Sequence, residues 1–266
     1  VPQPPLVDSH FHVWRADLPL TASAWHSPPT DASIDECIAT LDRHGVLFGV
    51  IAAASIHGLY NDYVREALRR HRRLRATATL SPRTSVYEME RMAADGFVGI
   101  RFVNSVTDDV PDLRSADYRV LLRRVVDLGW HVHTVDKPHR IADTIAAIEA
   151  SGAPLVIDHL GHLDTPEGVN GAAFKAVLAA VDRGHTWVKL SGGFRFDPPA
   201  NAKPYAEALV KLTGGERLLW GSDWPFAGYE GRVSYADTLA TIEEWVPDAT
   251  VRARICGTEP LKLYFA

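Results

Sequence analysis

Along the chain, short apolar runs alternate with longer stretches in which apolar residues recur every three or four positions. The first run, Leu6-Val7-Asp8-Ser9-His10-Phe11-His12-Val13-Trp14, has strand character. Residues 46–55 are almost continuously apolar, which suits a strand buried on both faces better than a half-exposed one. Residues 74–80, 96–102, 130–136, 154–159, 187–190 and 218–221 bring the strands to eight. Between them, Ser33 and Glu36 make a capping box for a helix running towards His44, and Gly45 stops it. Ser85 and Glu88 offer a second box. Further helices are expected from near Asn61, over 115–128 up to Gly129, from Pro138 to near Gly152, and over 172–182 and 205–212. Two more, over 235–245 and 249–264, close the chain, and residues 21–31, rich in Pro, Ser and Trp, read as a long loop.

Eight strand–helix units in 266 residues predict a (β/α)8 TIM barrel with an extra C-terminal helix, one domain over residues 1–266. The competing doubly wound sheet usually carries a glycine-rich phosphate turn after an early strand, and the chain has none. Composition adds only boundaries. A formal net charge of −5 gives no reason to expect nucleic acid, and the Arg69–Arg75 cluster reads as a solvated helix end. No stretch approaches a membrane span and the first residues lack a signal-peptide pattern, so a cytoplasmic protein is the expectation. Cys37 and Cys256 lie too far apart for a metal or redox motif and read as buried, reduced thiols.

In such a barrel the chemistry sits at the C-terminal strand ends. Those ends carry His10 and His12, His57, Arg101, His131 and His133, Asp158 and His159, Arg195, and Asp223. His10 and His12 are two residues apart, so both imidazoles project to one side of their strand. Of Asp158 and His159, strand alternation lets one face the centre: His159 is the choice, with Asp158 structural. His131 reads as a satisfied core histidine, while His133 is open between function and packing. His57, in a turn, is a candidate for touching substrate. The histidines at 26, 44, 71, 139, 162 and 185 read mostly as solvated. Lys189, inside a strand, is costly unless paired, and a Schiff-base role has no further support.

The segments Val7-Asp8-Ser9-His10-Phe11-His12, Ser55-Ile56-His57-Gly58, Gly99-Ile100-Arg101-Phe102, Val156-Ile157-Asp158-His159-Leu160-Gly161, Val188-Lys189-Leu190-Ser191-Gly192 and Leu219-Trp220-Gly221-Ser222-Asp223-Trp224-Pro225 occur in this order. Together they resemble the amidohydrolase superfamily, in particular the amidohydrolase-2 group of pyrone-dicarboxylate, sugar and muconolactone lactonases. The resemblance implies the barrel and a hydrolase acting on a lactone or related carbonyl, in catabolism of aromatic compounds or sugars. It implies Asp223 as the general base, its pKa lifted by desolvation, with His10, His12 and His159 polarising the carbonyl. Arg101 and Arg195 then hold a substrate carboxylate, and His57 is a further substrate contact. Residues 103–109 lack a further arginine of the group and end in Asp108 and Asp109, and Thr134 and Val135 replace a tyrosine. A lactone with one carboxylate, or a neutral one, therefore fits better than a dicarboxylate. Many amidohydrolases hold a divalent ion, and by that resemblance His10, His12, His133 and Asp223 are the set for one, zinc by type. The preferred reading is metal-independent hydrolysis of a small molecule. The alternative is a metal-dependent decarboxylase or hydratase on the same barrel.

Overall fold

The computed structural model describes residues 4–266. The strands are β1 (Leu6–Phe11), β2 (Val46–Ile51), β3 (Leu74–Ala78), β4 (Phe97–Val103), β5 (His131–Val135), β6 (Leu155–Ile157), β7 (Thr186–Leu190) and β8 (Leu218–Trp220). They lie parallel in the order β1 to β8. The helices that follow them are α1 (Ile34–Arg43), α2 (Asp62–Arg70), α3 (Val86–Asp95), α4 (Ala116–Asp127), α5 (Ile141–Glu149), α6 (Ala172–Asp182), α7 (Lys203–Thr213) and α8 (Tyr235–Trp245). Two short segments, α9 (Ala249–Ala253) and α10 (Glu259–Tyr264), end the chain. This is the (β/α)8 barrel with an added C-terminal helix that the alternation predicts. Among the described residues, no helix is long and apolar enough to cross a membrane. Cys37 and Cys256 are free thiols in the core.

The local signals work through identifiable hydrogen bonds. Ser33 Oγ accepts from Glu36 N and Glu36 Oε2 accepts from Ser33 N, so the first capping box is complete. The second is half made: Ser85 Oγ accepts from Glu88 N, but the Glu88 carboxylate turns away to Arg65 on α2. Gly96 ends α3 in the left-handed conformation, φ 116°, which costs a residue without Cβ little. Pro138 does not open α5. It lies in the turn before it, which Asp136 ties together through Lys137 N, Arg140 and Thr144. The closing helix expected over 249–264 is broken by a π-turn at Arg254–Thr258. Pro260 lacks the N–H that would bond back to Cys256, and Gly257 packs where a Cβ would lie 2.9 Å from Pro4.

The barrel closes between β1 and β8 by contacts specific to this seam. Asp223 N donates to His10 O at 2.7 Å, His12 N to Trp224 O at 2.8 Å, and Ser222 N to the Asp8 carboxylate at 2.9 Å. Asp8 also accepts from His10 N and from the Tyr235 hydroxyl of α8. Gly221 lets the two strands approach: a Cβ there would stand 2.5 Å from His10 Cβ and 2.9 Å from His10 N. From below, α10 carries Tyr264 against the rings of His131 and His133. Site and seam are thus built from the same residues.

Gly221→Ala should therefore push β1 and β8 apart at His10 and destabilise the fold by about 2 kcal/mol or more; chemical denaturation of the variant checks this. Burial pushes the Asp8 carboxyl up to about 6. The folded state then holds that proton more tightly than the unfolded chain, so this group's contribution to stability falls as pH rises through the interval. Asp8→Asn keeps an oxygen for the two backbone N–H groups and has no charge to bury. It should gain about 1 kcal/mol on the parent between pH 5 and 7 in paired urea melts.

Candidate active site

The C-terminal strand ends open into a cavity of about 300 Å³. Trp14, Ile56, Val103 and Val135 give it apolar walls, and Trp25 and Tyr229 stand at its rim. Its polar lining comes from His12, Arg101, His159, His162, Arg195 and Asp223. The loop over 21–31 has no regular structure but delivers Trp25, whose indole N–H donates to Ser55 Oγ at 3.1 Å.

Asp223, just past β8, is the buried centre. Its Oδ1 faces His12 Nε2 at 3.4 Å, His10 Nε2 at 3.7 Å and His159 Nε2 at 3.8 Å. Its Oδ2 accepts from Arg195 Nε at 2.7 Å. Neither Asp223 Oδ1 nor His10 Nε2 has a hydrogen-bond partner among the described residues. Asp223 reaches this position with φ 63°, and His159, Leu160, His162 and Phe226 also have positive φ. Such strain, on the order of 1 kcal/mol or more per residue, gathers at functional sites.

The electrostatics differ from the sequence expectation. Burial alone would raise the Asp223 carboxyl, but the Arg195 guanidinium bonded to its Oδ2 outweighs it and holds the group well below the usual carboxylate range. It is therefore ionised at rest. His10, His12 and His159 are pulled down by burial, His159 to about 3, and are neutral near pH 7.

A deeper cluster supports this one. Asp158 Oδ2 accepts from Arg101 Nε at 2.8 Å, and Asp158 Oδ1 lies 3.0 Å from Lys189 Nζ. Burial would raise Asp158, but the Lys189 and Arg101 cations beside it reverse the direction. Arg101 also donates through Nη1 to Ala53 O, and Arg195 through Nη1 to Ala227 O. In both guanidinium groups these bonds use Nε and Nη1, so Nη2 is available to a ligand. Arg195 is further steadied between the rings of Phe194 and Tyr229, 5.0 and 5.4 Å from its Cζ.

A family model described as amidohydrolase matches residues 7–266. The chain belongs to the amidohydrolase family. It is 27% identical to the 4-sulfomuconolactone hydrolase of Rhizobium radiobacter, over 97% of this chain and 89% of that protein. It is 26% identical to the 2-pyrone-4,6-dicarboxylate hydrolase of Comamonas testosteroni, over 97% and 90%. A solved Pseudomonas putida protein proposed to be a 2-pyrone-4,6-dicarboxylic acid hydrolase superposes with a TM-score of 0.90 at 31% identity, covering 99% of this chain and 98% of that one.

Within this amidohydrolase the geometry brings His10, His12, His159, Asp223 and Arg195 into contact range and puts Arg101 on the same cavity wall. Asp158 and His159 both face inwards, contrary to the alternation argument. β6 ends at Ile157, and the left-handed backbone at His159 breaks the period of two. His57 does not line the cavity: its Nδ1 donates to Pro19 O at 3.0 Å behind the rim. His162, expected to be solvated, lines it. No periodicity marks His162, because a kinked turn rather than a strand carries it.

The donor set tests whether a divalent ion fits. One ligand atom each from His10, His12 and Asp223 lies within 4.8 Å of the others. His12 suits the task, since its Nδ1 donates to Ala52 O at 2.8 Å and leaves a lone pair on Nε2. His133 does not join the set, because its ring nitrogens contact Lys189 and His131. His10 ligates through Nε2 only where that nitrogen is bare, and Lys189 Nζ, 3.0 Å from its Nδ1, is placed to donate there and leave the ring proton on Nε2. In that tautomer the trio offers an ion two ligand atoms and an N–H; with Nε2 of His10 bare it offers three ligands.

Proposed function

We propose that this amidohydrolase opens a small lactone bearing one anionic group, by direct attack of water and without a resident metal. The observation that carries the reading is the convergence of three imidazole Nε2 atoms on Asp223 Oδ1, 3.4 to 3.8 Å away, beside two arginines. The names of the relatives, both lactone hydrolases, agree with it.

In this reading the nucleophilic water donates its two hydrogens to Asp223 Oδ1 and to the lone pair of His12 Nε2. His12 thus orients water instead of polarising the carbonyl, because its own N–H is committed to Ala52. The carbonyl oxygen takes N–H donors from His10 and His159, the latter accepting at Nδ1 from Ser191 Oγ at 2.9 Å. Each well-aimed donor is worth about 3 kcal/mol as the oxyanion forms. Water oxygen bonds to the carbonyl carbon while its proton passes to Asp223. The ring C–O bond then breaks, and Asp223 returns the proton to the leaving oxygen. The hydroxy acid results.

Arg101 and Arg195 offer free Nη2 corners to the anionic group of the substrate. A carboxylate drawn to Arg195 also loosens that arginine's hold on Asp223 Oδ2, which strengthens the base at the moment of need. The stretch after β4 brings Ser105 and Val106 to the cavity and no cation, while Asp108 is turned to Lys137 and Arg140, so a single anionic group fits best. The apolar walls match a compact, weakly polar ring, and about 300 Å³ suits a small ligand.

Asp223→Asn should fold normally and lose at least about a hundredfold in kcat on any lactone substrate, because an amide cannot take the water's proton. Near-normal turnover in the folded variant would remove Asp223 from the mechanism. A panel of anionic and neutral lactones, read by acid release without carbon dioxide, separates hydrolase from decarboxylase. On the best anionic substrate, Arg101→Met and Arg195→Met should each lower kcat/KM by about 2–4 kcal/mol in transition-state terms. If a neutral lactone proves the best substrate and both variants use it normally, the anion clamp fails.

A further inference from the structure

Beneath the cavity runs a chain of buried side chains to which the proposed reaction gives no task. Its far end is Leu263 in α10, whose carbonyl oxygen lies 3.3 Å from His131 Nε2. A carbonyl only accepts, so His131 carries its proton on Nε2 and offers Nδ1 as an acceptor. His133 Nε2, 3.3 Å from that Nδ1, must then be the donor, which leaves His133 Nδ1 as an acceptor. Burial keeps both rings neutral. Each ring therefore has one proton, and its place is dictated by the next link.

The chain ends at Lys189 in the middle of the barrel. Its Nζ lies 3.1 Å from His133 Nδ1, 3.0 Å from His10 Nδ1 and 3.0 Å from Asp158 Oδ1. Three acceptors surround a group with three N–H bonds, and one of them is an anion. The His10 ring could instead donate from Nδ1 to Asp158 Oδ1, 3.3 Å away. Lys189 Nζ stands nearer to each of these atoms than they stand to each other, hydrogen-bonded to His10 Nδ1 and ion-paired with Asp158 Oδ1, which disfavours a proton on Nδ1.

We propose that Lys189 is a positioning residue that fixes His10 with its proton on Nε2. His10 then shows the cavity an N–H, which an oxyanion can accept and a metal ion cannot use. The same three residues that could ligate zinc, His10, His12 and Asp223, are held by one buried ammonium as a hydrogen-bonding site. Removing that ammonium leaves Asp158 Oδ1, 3.3 Å away, as the neighbour of His10 Nδ1 among the described residues that can accept its proton. The proton moves to Nδ1, and the lone pair on Nε2 turns the trio into a three-ligand metal site. What the N–H does for a carbonyl rests on the lactone reading; the position of the proton does not.

The test is a long-range ¹H–¹⁵N spectrum of the resting protein labelled at histidine, with His10 assigned by its loss in His10→Gln. The expected pattern is Nε2 protonated and Nδ1 bare. In Lys189→Met the pattern should reverse, and zinc affinity, measured by competition with a chelating dye, should rise at least about tenfold over the parent. A merely structural lysine would change stability and leave both readouts alone, and that result would overturn the proposal. If Lys189→Met does not fold, the parent spectrum still decides: a bare Nε2, or protons on both nitrogens, refutes the assignment. A substrate that is no lactone would sink the proposed function and leave the spectrum as expected.

Discussion

Asp158 is the residue on which the inner structure depends. It is fully buried, with Arg101 on one oxygen and Lys189 by the other. Taking three charges out of water is expensive, and removal of any one would strand the others at a cost of about 3–5 kcal/mol. That mutual need fixes where the two cations lie. Arg101 is turned between Asp158 and the carbonyl of Ala53, which aims the rest of its fork at the cavity. Lys189 is turned towards the histidines of β1 and β5. One carboxylate thus orients an arginine at the cavity and a lysine below it.

The upper layer repeats the arrangement with a different outcome. Asp223 has one oxygen on Arg195 and the other turned to three imidazoles that give it no hydrogen bond. A fully matched carboxylate would be inert. An ionised carboxylate with one free oxygen, beside a lone pair on His12 and an N–H on His10, is arranged to hold a water against an electrophile. The charges of Arg101, Lys189 and Arg195 exceed those of Asp158 and Asp223 by one. The site as a whole therefore favours an anionic ligand and the negative charge that forms during ester hydrolysis.

The residues to which the proposed chemistry falls also close the barrel, so stability and the site are coupled at the seam. Asp8 stitches β1 to the chain after β8, His10 and Asp223 share a backbone hydrogen bond, and Gly221 leaves room for the His10 backbone. Left-handed backbone at Asp223 and His159 comes directly after β8 and β6, and Asp223 is pinned there by its N–H bond to His10 O.

The barrel was legible in the sequence because parallel strands buried on both faces read as apolar runs, and their helices carry their own caps and stops. The candidate site was legible to the extent that a barrel gathers its strand ends: His10, His12, Arg101, His159, Arg195 and Asp223 needed only that topology. What strand alternation could not supply was any residue placed by a kink. Alternation selects His159 at the expense of Asp158, though both face inwards, and it marks nothing at His162, which lines the cavity. His57 occupied the right turn and points its Nδ1 at Pro19. The direction of the Asp223 shift and the partners of Lys189 were decided by distances between residues more than a hundred positions apart in some cases, such as His10 and Lys189. Periodicity records which face a side chain takes; only the tertiary structure records what it meets there.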